Sequence, residues 1–319
     1  MRFVRIAVDI MSGDRGPEEI LNGTLEARNI LKNSFFAYLC GDEEYIRCYL
    51  KDKGIKEKEW EHFFCIKDCK EKITPKDTPS TVWKTKTDAS VIKIITLQKQ
   101  GIVDASISAG DTGILMSASL FILGRTKNAV RPALAAFLPT TKKKPVLLLD
   151  VGANINCRVE HLVSFALMGY NYVKKYFSLN NPILKLLNIG LEPNKGTKIL
   201  KEADYKLKKC CSGYSGYIEG SGVFKGEADV VVCDGFTGNI LLKASESFHV
   251  LLDNLLPKSV KNKKEVKIVL NGVLNPENYG AVPFLGIKGI VLKAHGSSSS
   301  KAFANAIVCT INILRKKIL

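Results

Sequence analysis

Near the carboxyl end of this chain a lysine, a histidine, a glycine and a run of serines stand together as Lys293, His295, Gly296, Ser297 and Ser298. They follow the apolar run Ile290 to Leu292, so a strand would deliver a titratable ring, hydroxyls and backbone N–H groups to the mouth of a helix. Such a set makes a pocket for an oxyanion or a phosphate. His295 differs from His62, His161 and His249, which sit in helix-like or amphipathic contexts. An imidazole at a strand end is placed to pass a proton near neutral pH.

Four further loops repeat this design. In S-A-G-D-T-G, Ser108, Asp111 and Thr112 stand around Gly110 and Gly113, just before an apolar helix. Glycine lets the backbone approach a ligand closely, and a helix start favours an anion. Asp111 or Thr112 would serve equally well as the cap of that helix. D-G-F-T-G-N offers Asp234, Thr237, Gly238 and Asn239 after V-V-V-C, and D-V-G-A-N-I-N offers Asp150, Asn154 and Asn156 around Gly152. The opening strand ends in Asp9 and runs into a loop at Gly13. Arg131, Lys195 and Lys293 are candidate cations for a phosphate.

Several chemistries lack their signature. There is no G-x-G-x-x-G, so no dinucleotide is expected. G-x-S-x-G is absent and no second His or Cys has nucleophile spacing with His295, which argues against a covalent triad. No His and carboxylate set has metal-ligand spacing, so neither metal nor cofactor is expected.

The elements that must carry these loops follow one grammar. Short apolar runs at Val4, Ala37 to Cys40, Ala105 to Ile107, Val146 to Asp150, Leu186 to Ile189, Val230 to Cys233 and Ile290 to Leu292 each meet a polar or glycine turn. They alternate with helical stretches, among them Val82 to Gln98 and His161 to Tyr176. That alternation predicts an α/β protein with a largely parallel sheet covered on both faces, a three-layer α/β/α arrangement. In such sheets ligands sit outside the carboxyl ends of the strands, so the five loops are expected to converge on one cleft. No linker or repeat divides residues 1–319, which read as a single α/β unit with one lobe or two and its most irregular stretch at Leu251 to Tyr279.

Composition narrows the class. The chain has 319 residues, 46% of them hydrophobic, enough to bury one large core or two modest ones. Its 47 Lys plus Arg against 31 Asp plus Glu give a formal charge of +16, which would draw an acidic partner. The lysines are spread out and no aromatic-interleaved basic stretch is present, so no nucleic-acid partner is expected. The apolar run Ile114 to Gly124 is about half a bilayer span, and nine cysteines without a C-x-x-C pair fit reduced cytosolic thiols.

Read in order, the loops resemble the bacterial phosphate acyltransferase family called PlsX. The likeness rests on D-I-M-S-G-D at 9 to 14, I-S-A-G-D-T-G at 107 to 113, R-P-A-L-A at 131 to 135 and L-L-D-V-G-A-N at 148 to 154. It continues through L-N-I-G at 187 to 190, K-G at 195 to 196, E-G at 219 to 220, A-D-V-V-V-C-D-G-F-T-G-N at 228 to 239 and K-A-H-G-S-S at 293 to 298. The resemblance adds Asp14, Asn188 and Glu219 to the expected substrate-binding residues. It implies a Rossmann-like fold similar to phosphotransacetylases and isopropylmalate dehydrogenases, and transfer of a fatty acyl group from acyl carrier protein to inorganic phosphate. It also implies a cytosolic homodimer touching the membrane peripherally, through a helical tip around 240–280, and passing acyl phosphate to a glycerol-phosphate acyltransferase. Departures from the family pattern are Ser12, Arg15, Asp111, Tyr217, Ser221, Gly222 and Ser299.

On this reading backbone N–H groups near Gly110, Gly238 and Gly296 hold phosphate with Arg131, Lys195 or Lys293. Catalysis falls to His295, Lys293 and Ser297 with Asp234 and Asn239. The competing readings are a short-chain phosphotransacetylase using coenzyme A and a catalytically weakened, membrane-associated scaffold of the same fold.

Overall fold

The computed structural model describes residues 3–32, 34–142, 144–255 and 280–318. Its contacts divide the chain into two compact units, Met1–Thr126 with Tyr279–Leu319, and Lys127–Asn278. No Pro, Gly or Ser linker marks the crossing at Thr126.

The first unit runs β1 (Val4–Asp9), α1 (Pro17–Ile30), β2 (Phe35–Gly41), α2 (Glu43–Asp52), α3 (Glu57–Trp60), β3 (Phe64–Asp68), α4 (Val82–Thr85), α5 (Ser90–Lys99), β4 (Ala105–Ser108) and α6 (Thr112–Ile122). After the second unit the chain returns with β10 (Ala281–Leu285), β11 (Ile290–Ala294) and α12 (Ser300–Arg315). Strand order is β3-β2-β1-β4-β11-β10, parallel except for β10, which pairs antiparallel to β11. Every residue of β4 is buried, as a parallel strand covered on both faces requires. α1 packs on α12, and α5 packs on α6. The first contact is tight because Gly23 of α1 has no side chain: a Cβ there would lie 2.5 Å from the Ser300 carbonyl oxygen.

The second unit runs β5 (Ala133–Leu138), β6 (Val146–Leu149), α7 (Val159–Tyr176), β7 (Leu184–Leu187), α8 (Lys198–Cys210), β8 (Tyr214–Ile218), α9 (Gly220–Lys225), β9 (Val230–Val232) and α10 (Gly235–Leu255). Its strand order is β5-β6-β9-β7-β8, with β5 antiparallel to β6 and the rest parallel. β6 (V-L-L-L) and β9 (V-V-V) are fully buried. Phe165 of α7 is wholly enclosed, a burial contributing about 2–3 kcal/mol.

The predicted parallel sheet and its alternation with helices are present in both units. One expected helix is not continuous: Val82 to Gln98 is broken between α4 and α5. The cause is non-local. The Asp88 N–H donates to Glu71 Oε2 (2.8 Å), Asp88 Oδ2 accepts from the Lys70 N–H (2.8 Å), and Glu71 bridges Ala89 as a β pair. These bonds hold Ala89 in extended backbone after a turn at Thr87 and Asp88, and a new helix starts after Ala89. The expected tip is described only as far as Leu255; residues 256–279 lie outside the described residues.

Candidate active site

In the first unit β1, β4 and β11 are neighbours and parallel, so the loops after Asp9, Ser108 and Ala294 leave one edge of the sheet. Hydrogen bonds stitch these loops together. Ser108 Oγ donates to Asp9 Oδ2 at 2.6 Å and accepts from the Gly110 N–H at 3.0 Å. Ser12 Oγ donates to the Asp9 carbonyl at 2.7 Å and accepts from the Ala109 N–H at 3.0 Å. The Asp14 N–H donates to the Gly296 carbonyl at 2.7 Å, and Lys293 Nζ reaches the Ala109 carbonyl at 3.3 Å. Gly13 takes φ 89°, and a Cβ there would meet that same Gly296 oxygen at 3.3 Å.

Asp9 is buried, and Oδ1 accepts no hydrogen bond of good geometry. Burial raises its carboxyl above the usual range, opposed by the Ser108 and Ser90 hydroxyls, the Met11 backbone and the charge of Lys293. A desolvated carboxylate beside a hydroxyl and an ammonium fixes a loop rather than greeting solvent. At the edge, His295 is exposed and its Nδ1 lies 2.8 Å from Ser297 Oγ and accepts the Ser297 N–H at 3.2 Å. An accepting Nδ1 assigns the ring proton to Nε2, which becomes the donor. Ser298 turns back, its Oγ donating to the His295 carbonyl at 2.7 Å.

Asp111 caps α6, its Oδ1 accepting from the Ile114 N–H at 2.8 Å. Thr112 and Gly113 form the first turn behind it, where helical N–H groups lack intrahelical partners. Gly113 fits closely against Pro79, whose Cγ lies 3.2 Å from a would-be Cβ.

In the second unit β6, β9, β7 and β8 point the same way, so the loops carrying Asp150, Asp234, Asn188 and Glu219 share an edge. Asp150 is fully buried and its carboxylate is fully used. Oδ1 accepts from Leu134 N (3.0 Å) and Ala153 N (3.1 Å), and Oδ2 from Asn154 N (2.6 Å) and Asn154 Nδ2 (2.8 Å). Burial raises its pKa in spite of those bonds. Asn154 also donates to the Pro132 carbonyl at 2.8 Å, and its own carbonyl receives the Gly235 N–H at 2.8 Å. Asp234 starts α10 by accepting from Thr237 N and Thr237 Oγ1, each at 2.8 Å. Gly238 is held so close that a Cβ would fall 1.9 Å from the Asp150 carbonyl oxygen.

Asn239 is exposed and its side chain lies beside Gly152, whose φ is 133°. Asn188 is buried and donates to the Lys195 carbonyl at 3.3 Å, whereas Lys195 itself is exposed. Arg131 and Glu219 are exposed as well, Glu219 at the start of α9. Burial, with Asp150 nearby, pushes the Cys157 thiol up to about 12, and Cys233 is raised well above its usual value, so both stay protonated.

The residues expected from sequence thus form two stitched clusters. Asp9, Gly13, Asp14, Ser108, Gly110, Lys293, His295, Gly296, Ser297 and Ser298 gather in the first unit, with Asp111, Thr112 and Gly113 at the adjoining helix start. Asp150, Asn154, Asp234, Thr237, Gly238 and Asn239 gather in the second. The N–H groups of Gly110 and Gly238 themselves donate to Ser108 Oγ and to the Asp234 carbonyl at 3.0 Å each. Asp111 and Asp234 spend carboxylate oxygens on helix caps. Ser12, seen in sequence only as a departure from the family pattern, ties two loops, and no local pattern announces that.

The fold is that of phosphotransacetylases and of certain dehydrogenases. A phosphotransacetylase from Streptococcus pyogenes superposes with a TM-score of 0.67 at 12% identity, covering 98% of this chain and 94% of that one. A 4-hydroxythreonine-4-phosphate dehydrogenase from Klebsiella pneumoniae does so at 0.59 and 14%, covering 98% and 100%. A family model described as fatty acid synthesis protein matches residues 4–319. The phosphate acyltransferase of Wolinella succinogenes is 38% identical over 332 residues, spanning 99% of this chain and 96% of that protein. The chain belongs to this family, the PlsX phosphate acyltransferases.

Proposed function

We propose that the protein moves a fatty acyl group from acyl carrier protein to inorganic phosphate, giving acyl phosphate for phospholipid synthesis. A phosphate oxygen attacks the thioester carbonyl carbon, the carbon–sulfur bond breaks, and the carrier leaves as a thiol after taking up a proton. Phosphate is already a nucleophile, so the protein supplies position and complementary charge. The protonated thiols of Cys157 and Cys233 fit direct attack without a cysteine-bound acyl group.

The observation that carries this reading is the His295 and Ser297 pair at the end of β11. Nδ1 is oriented by Ser297, and Nε2–H is the proton donor for the oxyanion or the departing sulfur. Lys293 and the first turn of α6 supply positive potential for phosphate in that unit, and Arg131 and Lys195 supply it in the other. Asp9 and Asp150 hold the loops rather than touching substrate.

Two tests follow. With palmitoyl-loaded carrier protein and phosphate, acyl phosphate trapped as a hydroxamate should appear together with free thiol. Turnover only of acetyl-coenzyme A would replace this reading with a short-chain phosphotransacetylase, and no turnover with either would leave a scaffold. His295→Ala should lose about a hundredfold in kcat, with a changed pH profile; full activity with the same profile removes the ring from catalysis.

Homodimer formation, peripheral membrane contact and delivery to a glycerol-phosphate acyltransferase belong to the same proposal. Exposed Phe248, Leu251 and Leu255, at helical spacing on the far half of α10, support an apolar contact there. Among the described residues no helix is long and apolar enough to cross a membrane. Liposome flotation and sedimentation test both associations.

A further inference from the structure

In the first unit the chain leaving β1 and the chain leaving β11 are tied to each other at two rungs. The Asp14 N–H donates to the Gly296 carbonyl at 2.7 Å, and Glu19 Oε2 accepts from the Ser300 N–H at 2.5 Å and from the Ser300 hydroxyl. The first rung is backbone alone, whereas the second depends on one side chain. Ser297 lies between the rungs in sequence, and His295 adjoins the first.

Glu19 sits in the first turn of α1, two residues after Pro17. The hydroxyl and the N–H of Ser300 hold its carboxyl below the usual range, and the charge of Arg15 acts in the same direction. Glu19 is therefore an anion at neutral pH, and an ionised acceptor makes the stronger bond.

The helix beyond Ser300 has other supports. Ser299 Oγ caps α12 by accepting the Ala302 N–H at 3.2 Å. α1 meets α12 at Gly23, where a Cβ would lie 2.5 Å from the Ser300 carbonyl oxygen and 2.8 Å from Phe303 Cβ. What Glu19 adds is a hold on the amino side of Ser300, the far end of the serine run. Within that run the Ser298 N–H and hydroxyl both donate to the His295 carbonyl, at 3.1 and 2.7 Å, and the Ser297 N–H and hydroxyl meet His295 Nδ1 at 3.2 and 2.8 Å. A ring oriented by a hydroxyl is only as well placed as the backbone that carries the hydroxyl.

We infer that Glu19 is a positioning residue for acyl transfer: its carboxylate fixes Ser300 and, through the serine run, holds Ser297 against Nδ1 so that the His295 ring keeps its proton on Nε2. This rests on His295 being the proton donor proposed above, and it adds a residue from α1 that touches neither substrate nor the ring.

Glu19→Ala is assayed with palmitoyl carrier protein and phosphate, beside Glu19→Gln, whose amide oxygen still accepts the Ser300 N–H. Melting curves show which variants are folded at the assay temperature, and Glu19→Leu, of similar volume without an acceptor, replaces the alanine variant if that one is not. Glu19→Ala should lose about tenfold in kcat with both KM values unchanged, and Glu19→Gln should recover most of that loss. In a His295→Ala background Glu19→Ala should cost nothing further, since the two residues act as one unit. Ring carbon chemical shifts of histidine-labelled protein, with the His295 signals identified by their loss in His295→Ala, should move in Glu19→Ala from a single Nε2–H tautomer to a mixture. Where His295→Ala is impaired, the proposal is overturned by an unchanged kcat in Glu19→Ala, by a loss that multiplies with that of His295→Ala, or by an altered phosphate KM with kcat intact. A changed tautomer in Glu19→Ala together with full turnover in His295→Ala keeps Glu19 as the support of the ring and removes the ring from catalysis. An unchanged tautomer with His295→Ala impaired does the reverse.

Discussion

Ser108 donates a 2.6 Å hydrogen bond to Asp9 across 99 positions of sequence, and the same hydroxyl accepts the Gly110 N–H. The buried carboxyl therefore sets the geometry of the S-A-G-D-T-G loop through one serine. Burial raises the Asp9 pKa in the folded state, so between its unfolded value and the raised value the folded chain binds more protons than the unfolded one. Asp9 thus costs stability as pH rises through that window. Asp9→Asn does not titrate, so the stability of wild type relative to this variant should fall as pH rises above the ordinary carboxyl range, about 4, through the raised folded-state value. Urea unfolding at several pH values measures it, and a difference independent of pH contradicts the assignment.

Gly238 allows the start of α10 to lie on the Asp150 carbonyl. Gly238→Ala would place a methyl 1.9 Å from that oxygen and 2.9 Å from Cys233 Sγ. A destabilisation of about 3 kcal/mol or more is expected, seen as a lower urea midpoint. A loss below about 0.5 kcal/mol would mean that the two loops part easily.

Asp111 is one of the departures from the family pattern, and its side chain caps α6. Asp111→Ala should cost about 1 kcal/mol, while Asp111→Asn keeps the cap and loses a few tenths at most. Thermal melts separate these outcomes. Turnover that follows stability in both variants identifies a cap, whereas normal stability with lost turnover in Asp111→Asn would identify a substrate ligand.

Arg131 is exposed, and among the described residues no salt bridge joins it to a carboxylate. If it receives phosphate, Arg131→Gln should raise the phosphate KM about tenfold with an unchanged melting temperature. Steady-state kinetics over a phosphate series checks this, and an unaltered KM excludes it from the site.

Much of the architecture could be read directly from sequence because buried parallel strands have a strong local signature. V-L-L-L and V-V-V are apolar on both faces, A-S-I-S alternates small hydroxyls with apolar residues and is buried throughout, and each is followed by the polar loop that turns into a helix. The break after Thr85 had no such signature. Glu71 and Asp88 meet only when the chain folds, and their hydrogen bond outweighs a continuous helical pattern. The loops were legible for a similar reason, whereas their division of labour was not. Asp150 and Asn154 look like ligands in sequence, but in the fold they bond mainly to backbone and to each other.

Sequence alone determined the alternation of strands and helices, the polar loops at strand ends and the Lys293 to Ser298 segment, because those features depend on residues adjacent in the chain. Tertiary structure decided which loops meet. Asp9 with Ser108 and Gly238 with Asp150 are contacts between strands neighbouring in the sheet and distant in sequence, and Asp14 with Gly296 spans the loop of β4, the strand between β1 and β11. It also decided which carboxylates are buried as supports and which polar groups remain exposed for substrate, since burial belongs to the assembled fold and not to any residue alone.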